Sequence, residues 1–152
     1  MKMKQVLCAA AIAAALTTSA GAADVSAGMV KTASGTVSIE RAGQKIPALV
    51  GTPVYQSDRL RTGSDSAVGV TLRDNTLLSA GPNSLVAVDK FKFDNTTQVG
   101  AMSILIRKGT LLVASGRIAR QTPESVDFHT PTSVLGVRGT EFVIEVDGDD
   151  DE

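Results

Sequence analysis

Beyond residue 23 the apolar residues of this chain recur at every second position, and that period decides what it can fold into. In Ala67-Val68-Gly69-Val70-Thr71-Leu72 the three large apolar side chains share one face. Thr36 to Arg41, Leu85 to Asp89 and Glu141 to Val146 repeat the pattern. Ser103 to Ile106 and Thr110 to Val113 are more uniformly apolar, as strands covered on both faces would be. Helical periodicity is absent from this region. Turn-forming groups separate the runs: Ala42-Gly43-Gln44, Thr62-Gly63-Ser64-Asp65, Asp74-Asn75, Gly81-Pro82-Asn83, Asp94-Asn95 and Lys108-Gly109. The expectation is an all-β chain of many short strands, and 152 residues suit a single domain.

A weak repeat refines the expectation. Ser66-Ala67-Val68-Gly69-Val70 matches Ser84-Leu85-Val86-Ala87-Val88, and Asn75-Thr76-Leu77-Leu78 matches Gly109-Thr110-Leu111-Leu112 at nearly twice that offset. Gly-Thr opens apolar runs at Gly35-Thr36, Gly51-Thr52, Gly109-Thr110 and Gly139-Thr140. Glycine permits a sharp corner and threonine starts an extended run. Units of roughly 17 residues are the size of a small solenoid rung, so a β-solenoid-like stack of short strands is expected. An antiparallel β-sandwich with short hairpins is the alternative.

The N-terminus reads as an export signal. A basic head (Met1 to Gln5) precedes an apolar run from Val6 to Leu16, and Ala20-Gly21-Ala22 supplies small residues for cleavage. The expected organisation is a signal peptide over 1–22, cleaved near Ala22-Ala23, an all-β domain over 23–146, and an acidic disordered tail over 147–152. Cys8 leaves with the signal. The mature chain is then expected to be exported, periplasmic and without a membrane span.

Composition narrows the chemistry. A formal net charge of −1 gives no nucleic-acid footprint, and aromatic residues at 3% argue against base-stacking platforms or ring-lined sugar clefts. One His and one Cys are too few for a zinc or iron–sulfur site. His129 lies near Asp127 and Ser133, but residues alternating along a strand do not converge, and no G-x-S-x-G elbow is present. The tail Asp147-Gly148-Asp149-Asp150-Asp151-Glu152 begins like a calcium loop, yet it lacks the sixth-position glycine and the closing glutamate. No enzyme, metal or cofactor is expected. Lys90 to Val99 is polar and carries Phe91 and Phe93 on one side of an alternating run. It reads either as a partner-binding edge or as a hairpin arm whose rings pack back on their own core.

Three segments together resemble the FecR domain family. They are Asp58 to Val70, with Asp58, Thr62, Gly63 and Ser66; Leu72 to Leu78 with Asn83-Ser84-Leu85, including Asp74; and Thr130 to Val143, with Thr130, Pro131, Gly136, Arg138, Gly139, Thr140 and Phe142. Gly28-Met29-Val30 and Gly35-Thr36-Val37 resemble the family's start, so the likeness spans about residues 28–146. Asn75 stands where the family usually has glycine, and asparagine tolerates the left-handed turn conformation. The resemblance implies an all-β, solenoid-like extracytoplasmic domain of the kind that relays iron-uptake signals from an outer-membrane receptor to a sigma factor. In this chain the expected signal peptide occupies the place where the family's sigma-binding segment and membrane helix would be expected. The expectation is therefore a free-standing module that binds an envelope protein not identified by the sequence. A signalling relay acting in trans on a sigma, anti-sigma or receptor system, and a cell-wall glycan-binding module, are the alternatives; the oligomeric state is left open. The signature residues look structural. In particular, Arg138 is expected to tie a corner to carbonyls or to a carboxylate such as Asp58 or Asp74.

Overall fold

A computed structural model describes residues 24–148. The expected signal peptide, over 1–22, and the last four acidic residues lie outside them. The elements run β1 (Gly28–Ser34), β2 (Val37–Arg41), β3 (Gln44–Pro47), β4 (Pro53–Val54), β5 (Arg59–Thr62), β6 (Ala67–Leu72), β7 (Leu77–Ala80), β8 (Leu85–Phe93) and β9 (Gly100–Ala114). A short helix α1 (Arg117–Gln121) and one 3₁₀ turn (Pro123–Ser125) follow, then β10 (Val126–His129), β11 (Val134–Gly136) and β12 (Glu141–Val146). The all-β single domain read from the alternation is what forms.

The strands make one strongly curled sheet in the order β3-β2-β5-β8-β9-β7-β6-β1-β4, with β10 and β12 both on the remaining edge of β9 and β11 outside β10. The long strand β9 joins two leaves. Its first half pairs with β8 and β10, and its second half pairs with β7 and β12. Ile104 and Ile106 from the first half, and Leu111 and Val113 from the second, enter one apolar cluster with Ile39, Leu60, Val70, Leu72 and Phe128. Burying a side chain of this size stabilises by roughly 1.5–3 kcal/mol, so the closed leaves are held chiefly by this core.

Among the described strands every pairing is antiparallel except β10 against β9. A stack of parallel rungs is therefore not what the strands build. Stacking survives only along one seam, where the chain crosses between leaves four times: at Gly35-Thr36, Gly63–Ser66, Gly81–Ser84 and Gly109-Thr110. Two other details differ from the alternation. Ser103–Ile106 and Thr110–Val113 are parts of one strand with one face buried and the other less covered: Ser103 and Leu105 are half-buried, and Leu112 is 38% exposed. Among the described strands, β8 from Leu85 to Val88 and β2 from Val37 to Ile39 are buried on both faces. Helix α1 was not legible in the periodicity. It is five residues long, and tertiary contacts hold it: the buried Asp74 carboxylate accepts from Ile118 N at 3.2 Å and its carbonyl from Arg117 N at 2.8 Å.

Candidate functional site

The signature residues divide into a buried set and an exposed set. The buried set builds corners by one recurring device: a residue with positive φ followed directly by a buried polar side chain. Ser57 precedes Asp58, Asp65 precedes Ser66, Asn75 precedes Thr76 and Asn83 precedes Ser84. Asn75 does hold the left-handed turn, at φ 67°. At the seam, Ser66 Oγ accepts from Thr36 N at 2.8 Å, and Ser84 Oγ accepts from Thr110 N at 3.1 Å. Gly63 N and Gly81 N donate in turn to the carbonyls of Thr36 and Thr110, at 2.9 and 3.0 Å. The Ser-x-Val repeat and the Gly-Thr excess are thus two halves of the same duplicated joint. Thr62 ties the joints together: its Oγ1 donates to Gly81 O at 2.6 Å and accepts from Ser84 N at 2.9 Å. The glycine of each of the four Gly-Thr pairs has positive φ. These polar groups are spent on backbone partners, which is what burial demands of them.

The carboxylates are spent as well. Asp58, 1% exposed, accepts a fork from Arg41, with Nη2 to Oδ2 at 2.6 Å and Nε to Oδ1 at 2.9 Å. It also accepts from Tyr55 N at 2.8 Å. The hydrogen bond from its guanidinium to Asp58 holds the Arg41 pKa above its ordinary value, against the opposing effect of desolvation. Arg41 also lies over the Tyr55 ring at 4.6 Å. Asp74 accepts from Thr76 Oγ1 at 2.7 Å and Thr76 N at 3.1 Å in addition to its bond from α1. Arg138, expected to serve one of these carboxylates, serves neither. It is exposed, and among the described residues it has no hydrogen-bond or ion-pair partner. The reason is position: Arg138 lies on the outer loop between β11 and β12, while Arg41 ends a strand beside the Asp58 corner. Nothing in the sequence spacing marked Arg41.

Of the two readings of Phe91 and Phe93, the structure has the rings packed back on their own core. Phe91 is 7% exposed with the Arg73 guanidinium 5.8 Å from its ring centre, and Phe93 packs against the core. The residues His129 and Asp127 alternate along β10, and Ser133 N donates to Thr130 Oγ1 at 3.0 Å in the following turn. No group of three His, Cys, Asp or Glu among the described residues could hold a metal ion.

The exposed set is the C-terminal signature segment. Thr130 and Ser133 close the β10–β11 turn, with Thr130 N donating to Ser133 O at 2.8 Å and Pro131 in the position where its fixed φ suits a turn. Gly136 ends β11 against Asp127, and Gly139 takes φ 150° before β12. The Thr140 carbonyl accepts from Ser115 N at 2.7 Å, and the Phe142 ring meets Phe128 edge-on at 5.1 Å. That ring pair anchors the segment. Outside the anchor, Val134 and Val143 are 64% and 60% exposed, with Leu135 also exposed. A groove of about 480 Å³ lies between the Thr130–Ser133 turn, Leu135 and residues 143–147. Val143 sits opposite Leu112 on β9, and Leu112 opposite Ser79 on β7, beside exposed Leu77. An apolar strip therefore runs from the groove onto the outer face of the second leaf. Large apolar side chains gathered in this way on a surface mark contact sites more often than scattered ones do.

The fold and this surface define an all-β domain whose buried polar residues hold corners and whose C-terminal edge no described strand covers. The family model described as FecR protein matches residues 58–152, more than half of the chain, and the protein belongs to that family. The match begins at the Asp58 corner and takes in the whole exposed segment. Strands β1 to β4, part of the likeness read from the sequence, precede it. No curated protein and no solved structure gives a match. Membership associates the chain with the signalling apparatus of the cell envelope. No helix among the described residues is long and apolar enough to cross a membrane.

Proposed function

We propose that the protein is an exported, non-enzymatic interaction module of the envelope that binds a protein partner through its C-terminal edge. One observation carries this reading. The buried part of the family signature is consumed in building corners, whereas Thr130 to Val143 leaves Val134, Leu135 and Val143 on the surface beside a groove and an open strand. Family membership favours a role in signalling, in which the module acts in trans on another envelope component. A glycan reading has less support, because Tyr55, the one ring with a polar tip, is already covered on one face by Arg41.

The test is site-specific photo-crosslinking in cells. A photoreactive residue at Leu135 should give a discrete adduct with an envelope protein, and the same residue at Lys45, on the far edge strand β3, should not. Equal labelling from both positions would overturn the reading.

A further inference from the structure

Sheet edges invite other strands unless something blunts them. Among the described residues this sheet has four edge strands, and three are protected. Strand β3 carries Lys45 and Pro47, β4 is two residues beginning with Pro53, and β11 is three residues long. Strand β12 differs: six residues, with no proline and no lysine. The Thr140 carbonyl points toward β9, where it accepts from Ser115 N. Alternation along an antiparallel strand then turns the N–H and C=O of Glu141, Val143 and Glu145 away from β9. Their side chains are exposed too, with the groove alongside.

Charge selects what can pair there. With Val143 on the axis of an antiparallel pairing of β12 with its own copy, Glu141 falls opposite Glu145. With Ile144 on the axis, Glu141 falls opposite Asp147. Like charges directly opposite are destabilising, so the edge disfavours a second copy. The same pattern matches a strand with Lys or Arg facing Glu141 and Glu145 and an apolar residue between them facing Val143. That apolar residue extends the Val143–Leu112 row. Asp147, just beyond the strand, adds attraction of the same sign.

Resting on the interaction-module reading, we infer that β12 receives an extended partner segment of pattern basic-x-apolar-x-basic, added to the sheet edge by backbone pairing. The test uses the full mature chain and synthetic peptides with the core Lys-Thr-Val-Thr-Lys or Glu-Thr-Val-Thr-Glu. The basic peptide should bind, with NMR shift changes centred on residues 141–147, and binding should weaken as salt is raised. The acidic peptide should bind at least about tenfold more weakly, the size expected when two cross-strand pairs change from attraction to repulsion. The double variant Glu141→Lys/Glu145→Lys should reverse this preference. Val143→Pro removes one outward N–H while leaving the β9 ladder its donors, and should abolish binding of the basic peptide with the circular dichroism spectrum retained. Should Val143→Pro not fold, the charge reversal still decides. Equal binding of both peptides, shifts mapping to another strand, an unmoved preference in the reversed variant, or dimerisation of the wild-type chain through β12 would each overturn the inference. Crosslinking at Leu135 that succeeds while the peptides show no preference would leave the module reading standing and remove only the strand-addition inference.

Discussion

Arg41 and Arg138 carry the same guanidinium and meet opposite fates. Arg41 is two-thirds buried as a side chain and forks onto a carboxylate with almost no contact with solvent, whereas Arg138 projects from an outer loop. Removing one partner of a buried charge pair costs about 3–5 kcal/mol because the other charge is stranded. Water reaches Arg41's side of this pair, and Asp58 keeps its bond from Tyr55 N, so about 2–4 kcal/mol is expected for Arg41→Ala. Arg138→Ala should stay within about 0.5 kcal/mol of wild type, as surface substitutions do. Equilibrium denaturation of both variants checks this. A large loss at Arg138 with none at Arg41 would mean that Asp58 is served otherwise than described.

At the scale of elements, the hairpin joining β8 to β9 shows how a loop is held without a core. Asp94 Oδ1 accepts from Thr96 N at 2.7 Å and from Thr97 N at 3.0 Å. The backbone bonds from Thr97 and Thr96 lower the Asp94 pKa below its ordinary value. The sign follows from linkage. A depressed carboxylate contributes its stabilisation above the ordinary aspartate pKa and loses it as pH falls through the lowered one. Acidification should therefore release the clasp only below the ordinary aspartate pKa. The amide resonances of Thr96 and Thr97 should titrate together there, and titration at or above the ordinary value would contradict the geometry. Helix α1 is the complementary case: a local element too short to persist alone, docked by Asp74 and Thr76 from the β6–β7 turn.

For the whole molecule, β9 is the strand both leaves share, and its bend at Gly109 is where they meet. Gly109 has φ 93°, and a Cβ there would lie 2.1 Å from Ser84 Oγ and 2.5 Å from Ser84 Cα. Strain at positive φ costs about 1–3 kcal/mol and overpacking about as much again, so Gly109→Ala should lose at least about 2 kcal/mol. Because one core cluster spans both leaves, unfolding should remain a single transition in wild type. The amides of Ile104, Ile106, Leu111 and Val113 should exchange only at the rate of global unfolding. Hydrogen exchange that opens one leaf well before the other would show that β9 does not couple them.

Period-two alternation determined by itself that the domain is all-β, because only a pleated strand puts every second side chain into a core. Gly-Thr pairs and the Ser-x-Val repeat likewise marked real corners, since positive φ and a buried hydroxyl are demands made on single residues. Pairing partners were not legible. Alternation is the same for a rung and for a hairpin strand, so the choice between solenoid and antiparallel sheet waited on which strands meet in space. The same holds for Arg41 with Asp58, seventeen residues apart with no pattern joining them. It holds for Phe91 and Phe93, whose rings could face inward or outward until a leaf closed over them. The open edge at β12 follows the same logic. Its residues read as an ordinary strand, and only the tertiary arrangement, which places β9 on one side of it and no described strand on the other, leaves Glu141, Val143 and Glu145 with unpaired backbone.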